Sequence, residues 1–162
     1  MNRLARLQRV AQVAGGSLAL DQLTKAIAHA TLAGAPPHSF LYDTFRLQFA
    51  YNRGAFLSLG AALPDDARFW VFVVLNAVML VGIVAFLLWR GSAPTTIFGL
   101  SLIVGGGIGN LIDRLQNHGA VVDFLNLGIG PLRTGVFNVA DVAITAGAAL
   151  IVFAGACRTR AG

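Results

Sequence analysis

At 162 residues the chain has one domain's length, yet 56% of it is hydrophobic and only 12% charged, far below the roughly 25% typical of soluble domains. That composition excludes an ordinary soluble fold and favours a membrane protein. The net charge of +5 comes from scattered single arginines with no basic run, so no nucleic-acid partner is expected. A lone Cys157, with His29, His38 and His118 at no ligand spacing, excludes an internal disulfide and argues against a metal or other cofactor.

Arg3, Arg6 and Arg9 precede an apolar run from Val10 to Leu20, the outline of a cleaved signal peptide. The helical pattern, however, continues through Asp21-Gln22-Leu23-Thr24-Lys25 to about Leu32 with no small-x-small site. Residues 10–31 therefore read as a first spanning helix, polar in its second half. Pro36 and Pro37 end it.

Phe45 to Asn52 alternates with period 2, which predicts a half-buried strand. Arg53-Gly54 reads as a turn, and residues 55–62 as a short surface helix. Pro64-Asp65-Asp66 is a helix start with acids at the favourable end of the dipole. Phe69 to Trp89 then runs without a charge, matching the ~20 residues a spanning helix needs. Residues 95–112 form a third span rich in glycine, a composition that lets membrane helices approach closely. Asp113-Arg114 leads into an outer loop containing a second strand over 121–127. Residues 136–157 form the fourth span.

Four spans place both termini on one side. The tails and the short middle loop carry six arginines, so the positive-inside rule makes the termini cytoplasmic and turns both long loops outward. Depth gives a separate test. At ~1.5 Å per residue, Asn110 and Arg114 lie ~22 and ~28 Å from the inner end of span three, whereas Asp141 lies ~7 Å below the outer face. Asp21 and Lys25 also fall in the outer half. Helices of opposite direction thus put their polar residues in one layer, which reads as a site.

Each of these residues also has a structural explanation. Asp21 and Lys25, i and i+4 with the acid first, can neutralise one another. Arg114, i+4 from Asn110, can snorkel to the interface or hold a carboxylate or phosphate. Asn138 and Asp141 fit the N-cap and N3 positions of a capping box. The acid in Val121-Val122-Asp123-Phe124 changes the balance. An intramembrane carboxylate is costly and so a candidate for function. Two sharing an apolar site hold one proton between them, so one can accept a proton from water while the other donates to a carbonyl. No Gly-x-Ser-x-Gly, Cys-His pair or His-Glu-x-x-His competes. A proton-coupled transporter would need acids along a path through the bilayer, and the inner halves hold none. A packing or assembly subunit leaves the Asp pair unexplained.

Five blocks, Asp21-Gln22-Leu23-Thr24-Lys25, Asn52-Arg53-Gly54-Ala55-Phe56, Gly105-Gly106-Gly107-Ile108-Gly109-Asn110-Leu111-Ile112-Asp113-Arg114, Val121-Val122-Asp123-Phe124 and Phe137-Asn138-Val139-Ala140-Asp141, closely resemble those of the lipoprotein signal peptidase (signal peptidase II) family. The resemblance spans nearly the whole chain. It implies an all-α polytopic membrane protein with four transmembrane helices, a small extracytoplasmic β-cradle and a mobile surface helix, in one domain over residues 1–162. It implies an aspartic peptidase of the bacterial inner membrane, its site facing the periplasm. Such an enzyme cuts diacylglyceryl-modified prolipoproteins just before the modified cysteine, working as a monomer among membrane lipids. Asp123 and Asp141 match the catalytic pair. Asn52, Gly54, Asn110, Arg114 and Asn138 match residues around the active site, and Asp21 and Lys25 its supporting pair. Two stretches differ: Gly107 replaces an alanine, and Gly130-Pro131-Leu132-Arg133-Thr134-Gly135 replaces an aromatic-proline stretch that bears on lipid contacts and substrate preference.

Overall fold

A computed structural model describes residues 2–54, 64–89 and 93–159. The surface helix anticipated over 55–62 lies outside the described residues. Four helices and four strands follow in the order α1 (Arg3–Leu32), β1 (His38–Phe40), β2 (Phe45–Asn52), α2 (Asp65–Trp89), α3 (Pro94–Gln116), β3 (Val121–Ile129), β4 (Leu132–Arg133) and α4 (Val139–Thr159).

Among the described residues three helices, α2, α3 and α4, are long and apolar enough to cross a membrane. On α2 the large apolar side chains Trp70, Val71, Val74, Leu75 and Val78 are exposed, as lipid-facing residues should be. Helix α1 begins seven residues earlier than the sequence suggested, because Asn2 caps it by accepting a hydrogen bond from the Ala5 N–H at 2.8 Å. Its buried residues, Ala14, Asp21, Lys25, Ala28 and Leu32, recur at helical spacing on one stripe. Polar Asp21 and Lys25 occupy the middle of that stripe, and with Arg3, Arg6, Gln8, Arg9 and Gln12 near its start they make α1 less apolar than the other three.

Helix α3 is the centre of the bundle, packing most extensively on α4, then α1, then α2. Its glycines are crossing points. A Cβ on Gly105 would come within 2.5 Å of the Ala14 carbonyl oxygen of α1, and one on Gly106 within 2.6 Å of that of Ala140 on α4. Neighbouring positions of one helix thus seat two different partners at backbone distance. Ala14, Leu80, Leu87, Ile97 and Val104 fill the apolar core between α1, α2 and α3.

Helix α3 also runs one turn past the expected end. Asn117 N–H reaches the Asp113 carbonyl and Gly119 N–H that of Arg114, both at 2.8 Å. His118 and Gly119 adopt positive φ (51° and 91°), the left-handed close of a helix C-terminus. Asp113 and Arg114 therefore lie inside α3, which ends at Gln116.

The sheet is antiparallel with order β1-β2-β3-β4. The predicted strands appear as β2 and β3, while β1 and β4 carry no pattern the sequence could signal. The hairpin Leu41-Tyr42-Asp43 has three consecutive positive φ angles. It is held by the Asp43 carboxylate, which accepts from Ser39 Oγ at 2.7 Å and pairs with Arg46. Those bonds, Arg46 foremost, keep the Asp43 carboxyl well below the usual range. Ala28, Leu32 and Phe124, with Leu47 and Phe49 against them, seat the sheet on the C-terminal end of α1.

Candidate active site

Asp123 lies in β3, only 1% exposed. The β2–β3 register passes from Leu47↔Leu125 to Ala50↔Asp123, one residue more on β2 than on β3, a β-bulge. Beyond it Asn52, two residues from Ala50, lies on the same face as Asp123. A slip of one residue would turn Asn52 away. Asn52 Nδ2 donates to Asp123 Oδ2 at 2.9 Å, while its Oδ1 accepts the Gly54 N–H at 3.0 Å. Gly54 thereby fixes the amide's orientation through its backbone. A side chain there would meet only ordinary contact.

Asp141 is brought in by the start of α4. Phe137 pairs with Leu125 through two 2.8 Å backbone hydrogen bonds, which ties the stretch before α4 to β3. The helix proper begins at Val139 rather than at residue 136. The anticipated capping box is present: Asn138 Oδ1 accepts from the Asp141 N–H at 2.9 Å and Asp141 Oδ2 from the Asn138 N–H at 3.1 Å. The same Asn138 donates Nδ2 to Asp123 Oδ1 at 2.7 Å. One fully buried asparagine thus joins the two carboxylates. Capping and site-building are one arrangement here.

Asn110 on α3 extends the link, donating Nδ2 to Asp141 Oδ1 at 3.0 Å and accepting from Asn138 Nδ2 at 3.2 Å. Behind it sits a buried ion cluster. Lys25 Nζ lies 2.8 Å from Asp21 and 3.0 Å from Asp113, and donates to Asn110 Oδ1 at 3.0 Å. Asp21 Oδ1 accepts from the Ala140 N–H at 2.8 Å, so α1 caps α4. Asp113 accepts from the Val122 N–H at 2.9 Å beside Asp123 and from Gln22 Nε2 at 3.1 Å. Asp113 and Gln22 are site residues that the sequence does not single out. The available signal was the i, i+3 spacing from Asn110, which a helix extending past residue 112 turns into a shared face.

Arg114 does not clamp a carboxylate. Its Nη1 donates to the Asn110 carbonyl at 3.2 Å, and its guanidinium stands 5.9 Å from the centre of the Phe72 ring.

Burial, opposed by the hydrogen bonds from Asn52 and Asn138 and reinforced by the nearby charge of Asp141, pushes the Asp123 carboxyl up to about 6. The folded chain therefore binds this proton more tightly than the unfolded chain, where the value is 3.8. Stability falls as pH rises through that window, by roughly 3 kcal/mol by pH 7. In Asp123→Asn this component disappears, which denaturation in detergent at pH 4 and pH 7 will show. Equal pH dependence of the two proteins would mean that Asp123 ionises as it does unfolded.

Residues 13–156 match the family described as Signal peptidase (SPase) II. A lipoprotein signal peptidase of Paraburkholderia phymatum is 40% identical over 151 residues, 86% of this chain and 89% of that protein. One of Sphingopyxis alaskensis is 40% identical over 135 residues, 82% of this chain and 76% of that protein. Two solved structures described as bacterial membrane enzymes superpose with TM-scores of 0.77 and 0.78 at 26% and 25% identity. They cover 93% and 90% of this chain, and 88% and 90% of their own. None of these relatives supports a transporter. The chain belongs to the signal peptidase II family and is an aspartic peptidase of that type.

Proposed function

We propose that Asp123 and Asp141 are the catalytic pair of an intramembrane endopeptidase. It removes the signal peptide from diacylglyceryl-modified prolipoproteins, cutting just before the lipid-modified cysteine. Helix α1 is the fourth crossing: at ~1.5 Å per residue its 30 residues exceed the bilayer core, and its polar residues pair inward. The termini lie in the cytoplasm and the site opens to the periplasm, with all 162 residues acting as one unit, a monomer in the inner membrane.

The observation that carries this reading is the bridging of two carboxylates by Asn138, one of them holding its proton to about pH 6. The ionised carboxylate takes a proton from water as the water oxygen attacks the scissile carbonyl carbon. The protonated partner gives its proton to the carbonyl oxygen. When the tetrahedral intermediate collapses, the carbon–nitrogen bond breaks, the amine takes a proton from the carboxyl that had accepted it from water, and a hydroxyl of the intermediate gives its proton to the other carboxylate as the carbonyl re-forms, which restores the pair. Bound substrate excludes water and raises the affinity of the pair for its proton further. Asn52, Asn110 and Asn138 hold the carboxylates in register, and the Lys25 cluster holds Asn110.

The substrate enters sideways, its apolar stretch among the lipid-facing helices and its acyl chains in the outer leaflet. Purified protein in detergent should cleave an acylated precursor at the cysteine. An unacylated precursor should show kcat/KM lower by at least about tenfold, since each buried methylene contributes roughly 0.8 kcal/mol. Equal cleavage of the two would overturn lipid anchoring. An uncut acylated precursor in the presence of folded protein would overturn the assignment itself.

A further inference from the structure

A cavity of about 410 Å³ opens at the outer end of α2, beside the carboxylate pair but not lined by it. Phe69 and Trp70, edge to face at 5.1 Å, and Phe72 line one side. Arg53, Asp66 and His118 bring the charge and hydrogen-bonding capacity. The side chains of these three form no ion pair or hydrogen bond with another described residue, so their capacity faces the cavity.

Two connections tie the cavity to the site. Arg53 directly follows Asn52, whose amide holds Asp123. Phe72 lies under Arg114, one turn of α3 beyond Asn110. An occupant of the cavity therefore lies against Arg53, the chain neighbour of Asn52, and against Phe72, on which Arg114 packs.

We infer that this cavity is the subsite for the first residues on the mature side of the scissile bond, and that it favours acidic side chains there. The inference rests on the peptidase reading above. The apolar stretch of a signal peptide and the acyl chains belong among the lipid-facing helices, because a polar cavity at the water interface would strip them of apolar contact. The segment following the modified cysteine is the part of such a substrate that leaves the membrane. Arg53 in the lining and Arg114 behind Phe72 carry two positive charges against the single carboxylate of Asp66, with His118 adding hydrogen-bonding capacity, so the cavity favours an anion over lysine.

The test uses the full-length protein in lipid nanodiscs and three acylated precursors identical except for Asp, Ser or Lys at the two positions after the modified cysteine. The native protein should show kcat/KM about two- to fivefold higher for Asp than for Lys, the scale of a solvent-screened ion pair. Raising the salt concentration should compress that ratio, and Arg53→Glu should bring it below one. His118→Glu should shift the ratio the same way from another element. Cleavage without discrimination, or a ratio untouched by both variants, overturns the subsite. Variants that alter cleavage of all three precursors equally, and only with the headgroup charge of the nanodisc lipid, assign the cavity to a lipid headgroup instead. If no precursor is cut, the peptidase reading fails and the subsite with it.

Discussion

Asp123→Asn and Asp141→Asn will each lower turnover by about 10³-fold or more while leaving the protein folded and inserted. The scale follows from the ~10²–10⁴ that positioned acid–base groups contribute, compounded by loss of the shared proton. Each carboxylate is held by two side-chain or backbone donors, Asp123 by Asn52 and Asn138, Asp141 by Asn110 and the Asn138 N–H. An amide of the same shape keeps most of that framework but cannot exchange the proton. Because the two act as a unit, the double variant should be little slower than either single one. Single-turnover assays on an acylated precursor measure this directly. Effects that multiply, or substantial activity in either variant, would reject a proton shared between Asp123 and Asp141.

The largest loss of stability is expected at a residue that touches neither Asp123 nor Asp141. Lys25 is 4% exposed and lies between Asp21 and Asp113, which are themselves buried. Lys25→Met leaves two carboxylates in the interior without their cation, at roughly 3–5 kcal/mol, the cost of breaking a buried pair from one side. It also removes the donor that fixes Asn110 Oδ1, so kcat should fall as well. Adding Asp113→Asn to Lys25→Met should recover part of the stability, since one stranded charge is then removed. Denaturation of the three proteins in the same detergent decides the matter. A Lys25→Met protein as stable as its parent would show that the cluster contributes nothing to folding.

How far the site was legible differs residue by residue. Asn138 and Asp141 were readable as a pair because a capping box is a local device, set by a spacing of three and by the unsatisfied N–H groups of a helix start. Asp21 and Lys25 were readable for the same reason, as neighbours one turn apart. For Arg114 the sequence left snorkelling and the holding of a carboxylate or phosphate both open: its side chain has several places to go, and packing against Phe72 with a hydrogen bond to the Asn110 carbonyl chose among them.

The sequence by itself determined the three apolar spans, because desolvation penalises a charge wherever it stands in an apolar helix. It also determined the two longer strands, β2 through its alternation with the pleat. Only the tertiary structure decided that Asn52 faces Asp123, through a bulge in β2. Only it showed Asp113 turned inward to Lys25, Asp21 capping a helix 119 positions away, and Phe137 fastening α4 to β3. Those contacts depend on which backbone groups remain unpaired once helices and strands have met. No local pattern encodes that, since each partner is specified by the other's position in space.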